Sequence, residues 1–208
     1  VGASAGLCLL PDRYGYDWGH VRLAPADPGA PVFHCTATGP APLPAALPRI
    51  VWRAGLDLNP LDVMSDEDMA WLKALIWPEQ ADRRRNLQAA LAVARSAPPR
   101  VVRGDLLDDL AALMADAPAD ATLVVFHTAV LAYVSAIEAR RRFVDTVRGS
   151  RAVWISNEVP SVFPDIAARA PTPVPRGKFL LAADGVPKAW TGPHGQSLEW
   201  FPGREAPT

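Results

Sequence analysis

Apolar positions along this chain switch repeatedly between two spacings, and the switches lay out a strand–turn–helix order. "RIVWRAGLDLNPLDV" reads as a strand running into a loop at Asn59-Pro60. Ser65 followed by Asp68 predicts a helix start of the capping-box kind, with Met69, Leu72 and Ile76 as the apolar stripe behind it. Pro78 ends that stripe, and Leu87, Leu91 and Ala94 mark a second helix that stops at "APP". A short strand, "RVVRGD", is followed by helical spacing at Leu107, Leu110 and Met114. "ATLVVFHT" is an apolar run of the sort buried on both faces, and Val130, Val134, Ile137, Val144 and Val147 sit at helical spacing after it. "RAVWISNE" is the next strand, and the prolines from Pro160 to Pro175 form a loop. "KFLLAADGVPKAW" leading to "QSLEWF" predicts a closing hairpin around Asp184-Gly185.

Strands that alternate with helices imply a mostly parallel sheet covered on both faces, here closed by an antiparallel pair. The expectation is one α/β domain over residues 1–208. Two stretches stand outside the rhythm. Residues 24–48 are rich in proline, which bars a long helix, and "VRLA" and "PVFHCTA" at and inside this stretch read as short edge strands. This segment is expected to be an insertion within the domain. The start, "VGASAGL", holds a glycine turn with only Val1 ahead of it. A strand feeding such a turn needs about five residues. The reading therefore expects the domain to be the C-terminal part of a longer chain.

Composition narrows the classes. Half of the 208 residues are hydrophobic, 21% are charged and the formal net charge is -1. That balance fits an ordinary globular domain and argues against a bulk electrostatic grip on nucleic acid. The basic triplets Arg83-Arg84-Arg85 and Arg140-Arg141-Arg142 fall in helical patterns and read as solvated helix faces. Six of the tryptophans, Trp52, Trp71, Trp77, Trp154, Trp190 and Trp200, read as packing residues on the same grounds. Cys8 and Cys35 have no C-x-x-C spacing, so a reducing cytoplasmic setting is expected. Cys35 follows His34, but no second Cys/His pair completes a zinc site. No apolar run reaches membrane-spanning length, so neither a membrane nor nucleic acid is expected as a partner.

Ligands of open α/β sheets bind beyond the carboxyl ends of the strands, so the polar residues there are the candidates. They are Gly2, Ser4 and Gly6, then Asp57 and Asn59, Asp105, His127 and Thr128, and last Asn157 and Glu158. Five strands in succession would deliver polar groups to one rim, which points to a shared small-molecule site. Each candidate also has a structural reading. Asp57 and Asn59 could shape the turn before Pro60, and Asp105 could cap the helix after it. His127 is either a satisfied core histidine or a functional one, and Asn157-Glu158 could tie down the loop before Pro160.

The stretches "GASAGL", "RAGLDLNPLDV", "WLKALIWPE", "VVRGD", "VVFHTAVLAYV", "WISNE", "FLLAADG" and "HG", in this order, resemble a bacterial family catalogued as domain of unknown function 2332. The resemblance covers nearly the whole chain and names no reaction. The order of glycine turn, acidic strand end, "GD" strand end, apolar strand with a polar tip and final hairpin is also similar to class I S-adenosylmethionine-dependent methyltransferases. That likeness implies a Rossmann-like three-layer sandwich. It also implies that S-adenosylmethionine lies against Gly2, Ser4 and Gly6, with Asp57, and Asn59 beside it, at the ribose and Asp105 at the adenine. Phe126, His127 and Thr128 would lie beside cofactor and substrate, and His127 or Glu158 would serve as the catalytic base for an unidentified acceptor. Two departures stand out. Ser4 occupies the usual central glycine, and Asp57 lies 51 residues beyond Gly6, against roughly 20 in an ordinary βαβ unit.

Two readings from other classes remain. One is a non-catalytic binding or scaffold protein that keeps the sheet alone. The other takes Gly2-Ala3-Ser4-Ala5-Gly6 as a G-x-S-x-G nucleophile elbow, with Asp105 or Asp184 as the acid and His194 as the base. Against the elbow, Pro11 interrupts the helix that should follow it.

Overall fold

The computed structural model describes residues 1–202, which form a mixed α/β protein with eleven strands and five α-helices. The strands are β1 (Gly15–Asp17), β2 (Arg22–Leu23), β3 (Val32–His34), β4 (Thr36–Thr38), β5 (Gly55–Asp57), β6 (Val101–Arg103), β7 (Val124–Thr128), β8 (Val153–Glu158), β9 (Phe179–Ala183), β10 (Val186–Thr191) and β11 (Ser197–Trp200). The helices are α1 (Asp66–Ala74), α2 (Ala81–Ser96), α3 (Leu110–Ala115), α4 (Ile137–Arg148) and α5 (Pro164–Ala167). They divide between two compact units, the first made of Val1–Phe33 with Ala45–Ala121, the second of His34–Pro44 with Thr122 onward.

The expected single, mostly parallel sheet of Rossmann-like order is not what forms. In the first unit, β2, β1 and β3 make one small sheet, while β5 and β6 pair in parallel as another. In the second unit a six-stranded sheet runs β4-β11-β10-β9-β8-β7. Its β7–β8 and β11–β4 pairs are parallel, and its β8–β9, β9–β10 and β10–β11 pairs are antiparallel. Of the three predicted strand–helix–strand segments, β5 to β6 and β7 to β8 join parallel neighbours, each in its own sheet, whereas β6 and β7, joined through α3, belong to different sheets. Periodicity identifies an element and its buried face; the partner strand is chosen by packing distant in sequence.

The first unit closes around the stripes that the pattern predicts. Ser65 caps α1, its hydroxyl accepting the Asp68 amide at 3.2 Å. Met69 of α1 and Ala90, Leu91 and Ala94 of α2 then pack with Ala5, Leu10, Tyr14 and Val63 in one buried cluster. Arg53 ties the early loop to this unit, donating to both carboxylate oxygens of Asp12 at 2.7 and 2.8 Å. That pairing holds the Asp12 carboxyl below its usual range.

In the second unit β7 alternates instead of burying both faces. Val125 and His127 turn inward, while Val124 and Thr128 are exposed. The interior strands β8 and β9 alternate in the same register, so one face of this sheet is covered more fully than the other. The predicted hairpin is present: Asp184 (φ 49) and Gly185 (φ 73) join β9 to β10, and two residues with positive φ give the twist that a two-residue hairpin turn requires. The turn is docked by Trp154, whose amide donates to Asp184 Oδ1 at 2.8 Å.

The proline-rich segment supplies a short edge strand, as its pattern predicts, with β4 at one edge of the six-stranded sheet. One further expectation changes. Arg140 does not face solvent like its neighbours: its guanidinium donates to the carbonyls of Val134 at 2.6 Å and Val162 at 3.4 Å. Among the described residues no helix is long and apolar enough to cross a membrane.

Removing the Ser65 hydroxyl leaves a helix-terminal amide without its acceptor. We expect Ser65→Ala to destabilise the protein by about 1 kcal/mol, measured by urea denaturation, with no change in far-ultraviolet circular dichroism.

Candidate functional site

The predicted site residues assemble as two clusters, one in each unit. In the first, the parallel pairing of β5 with β6 brings Asp57 and Asp105 out at the same sheet edge. The glycine turn is bonded there: the amides of Gly2 and Ala3 donate to Leu56 O at 2.8 and 3.2 Å. Ser4, in the left-handed region at φ 49, donates its amide to Asp57 Oδ2 at 2.7 Å. The other Asp57 oxygen, Oδ1, accepts the Asn59 amide at 2.8 Å. Gly6 has φ +71, and a Cβ there would stand 2.6 Å from Pro99 Cγ and 2.8 Å from Val101 Cγ2.

The remaining polar groups of that edge also serve the fold. Asn59 Oδ1 accepts from Arg103 at 3.1 Å. Asp105 Oδ1 accepts the Leu107 amide at 2.7 Å, shaping the turn that precedes α3. Of the residues predicted to hold a cofactor, Gly2, Ser4, Asp57 and Asn59 thus lie together at the end of β5, where hydrogen bonds fasten the turn to that strand, while Phe126 and Thr128 belong to β7 of the second unit. For the nucleophile-elbow reading, a 3-10 turn of three residues, Leu7–Leu9, follows Ser4 in place of a helix, and Asp105 and Asp184 each accept a backbone amide.

The second cluster is built by β8. Its inward positions are Trp154, Ser156 and Glu158, all nearly fully buried, and its register sets His127 of β7 beside Ser156. His127 Nδ1 lies 2.7 Å from Glu158 Oε1, and the Trp154 indole N–H donates to His127 Nε2 at 3.0 Å. An indole nitrogen is a donor only, so Nε2 must be the unprotonated acceptor and Nδ1 carries the hydrogen toward Glu158. His127 is therefore a neutral imidazole with both nitrogens occupied. Burial holds its pKa below the ordinary value, outweighing the upward pull of Glu158. Phe143 of α4 meets the ring edge-on at a centroid distance of 5.3 Å.

Glu158 Oε1 has two more donors, the amides of Val130 and Leu131 at 2.9 and 3.1 Å. Its other oxygen, Oε2, is buried without a hydrogen-bond partner. Glu158 lines a partly open recess with Ser156, Val159, Pro160, Phe163, Ile166, Leu180 and Ala182, with room for about one group the size of a water molecule. Oε1 is turned to His127 and the 130–131 amides, so Oε2 is the carboxylate oxygen left without a protein partner. The other candidates of this unit lie elsewhere. Phe126 and Thr128 alternate with the inward His127 along β7, and Asn157 Oδ1 accepts from Thr191 Oγ1 at 2.7 Å.

Sequence reasoning reached His127 and Glu158 and missed Trp154 as a member of their network. The signal was present in the strand itself, because Trp154, Ser156 and Glu158 recur every second residue and so share one face. Phe163, Leu180 and Ala182 gave no such sign, since only long-range packing brings them to the recess.

Fold and site together define a mixed α/β protein with a buried histidine–carboxylate pair beside a small recess. The chain belongs to the family described as "Uncharacterized protein conserved in bacteria (DUF2332)", whose match runs over residues 1–200. No curated protein and no solved structure matches it.

A native state that keeps His127 neutral binds fewer protons than the unfolded chain once the pH falls below the ordinary value of 6.5. Stability should therefore decline as the pH drops through that value and level off above it. Trp154→Phe leaves Nε2 without its donor and free to take a proton. We expect that variant to lose about 1–3 kcal/mol at neutral pH and to show a weaker acid dependence in urea denaturation curves recorded across the range.

Proposed function

We propose that this protein binds a small molecule in the recess beside Glu158. The observation that carries the reading is Glu158 Oε2, an oxygen of a side chain only 2% exposed that has no hydrogen-bond partner. Buried polar atoms are paired in the great majority of cases, and leaving one unpaired costs about 1–3 kcal/mol. An oxygen held at that cost beside an open recess is suited to a ligand donor. Its partner oxygen is fixed by three donors, so the carboxylate is oriented before any ligand arrives.

Binding, not acid–base work by His127, is what this arrangement supports. A general base must present a free nitrogen to its substrate, and both of those on His127 are taken. Methyl transfer from S-adenosylmethionine draws support from the shared β5–β6 edge that carries Asp57 and Asp105 beside the glycine turn. Each Asp57 oxygen already accepts one amide, from Ser4 or Asn59, so a ribose hydroxyl would share an oxygen that holds the turn.

The test is a nuclear magnetic resonance screen of small alcohols, amides and amines against the full chain. The Val130 and Leu131 amides and the Trp154 indole serve as reporters. We expect donor-bearing fragments to move these signals saturably and to lose the effect in Glu158→Gln, which keeps an acceptor in place of Oε1. Fragments that leave the reporters unmoved would refute the reading. Titration with S-adenosylmethionine should give no saturable heat; saturable binding abolished by Asp57→Ala would transfer the function to the first unit.

A further inference from the structure

We propose that the group taken by this recess is the primary ammonium of a small amine, an inference that rests on the binding role of Glu158. All three donors to Glu158 Oε1 are uncharged: two backbone amides and the Nδ1–H of an imidazole that the Trp154 indole keeps neutral. The only ion-pair geometry Glu158 makes among the described residues is with that same ring. The carboxylate is thus buried with no cation to match it, and buried charges are ordinarily paired. An ammonium would supply both the missing charge and a donor for Oε2.

The walls of the recess suit the same group. Ser156 adds a hydroxyl beside Glu158, and Phe163 an aromatic wall of the kind that attracts cations. Val159, Ile166 and Leu180 leave apolar surface for a short alkyl chain leading outward. A divalent metal ion is poorly served, because no group of three or more His, Cys, Asp or Glu side chains converges among the described residues. Calcium and magnesium demand six or more oxygen ligands. Room for about one water-sized group suits a single –NH₃⁺ head and excludes a guanidinium or a quaternary ammonium.

Methylammonium chloride and methanol, nearly the same size and differing in charge, are the probes. Each is titrated into the full chain at matched ionic strength while the Val130, Leu131 and Trp154 indole signals are followed. The proposal predicts saturable shifts with methylammonium, binding about tenfold tighter than methanol, and loss of the methylammonium effect in Glu158→Gln. Equal responses to the two probes would overturn the ammonium assignment and leave small-molecule binding standing. Silence with both would overturn the binding reading as well. A methylammonium response that survives in Glu158→Gln would place its site elsewhere and also refute the proposal. The comparison of probes on the unaltered protein needs no variant to fold.

Discussion

Glu158 stands at the end of β8 with its carboxylate almost wholly withdrawn from solvent, and a group of that kind is tolerated only where donors meet it. Three do, all on one oxygen. They come from different parts of the second unit: the β7 side chain of His127 and the amides of Val130 and Leu131 that open the next turn. The carboxylate therefore sets where the chain goes after β7, which tautomer the histidine takes and how the Trp154 indole is used. Replacing Glu158 with an apolar residue would strand all three donors at once. That constraint also explains why the second oxygen keeps a fixed position without a bond of its own.

Much of the element order was legible because it rests on local chemistry. Ser65 with Asp68 marks a helix start through hydrogen bonds three residues apart, and Asp184-Gly185 marks a hairpin through backbone dihedrals of adjacent residues. What the pattern could not carry was partnership between strands. β5 and β7 read alike as members of one parallel sheet, yet β8 is flanked by β7 and the antiparallel β9, while β5 finds only β6. Nothing near those residues encodes the choice.

The candidate residues show the same division. Gly2 and Ser4 do meet the end of β5, through Leu56 O and the Asp57 carboxylate, the neighbourhood expected of a cofactor turn. Glycines and an acid after a strand serve equally well when the acid's own oxygens bind the turn, and composition does not separate the two uses. His127 and Glu158, 31 residues apart, were reachable because parallel neighbouring strands bring their ends together. Their roles were not, since those depend on Trp154 occupying one ring nitrogen and on the recess wall contributed by Phe163 and Leu180.

With His127 fully engaged and neutral, Glu158 Oε2 is the group left for chemistry or binding. Long-range proton–nitrogen correlation of the His127 ring measures this directly. A protonated Nδ1 with a bare, acceptor-type Nε2 at neutral pH is the predicted result. An imidazolium, or a hydrogen on Nε2, would contradict it and return His127 to the candidates for the active group.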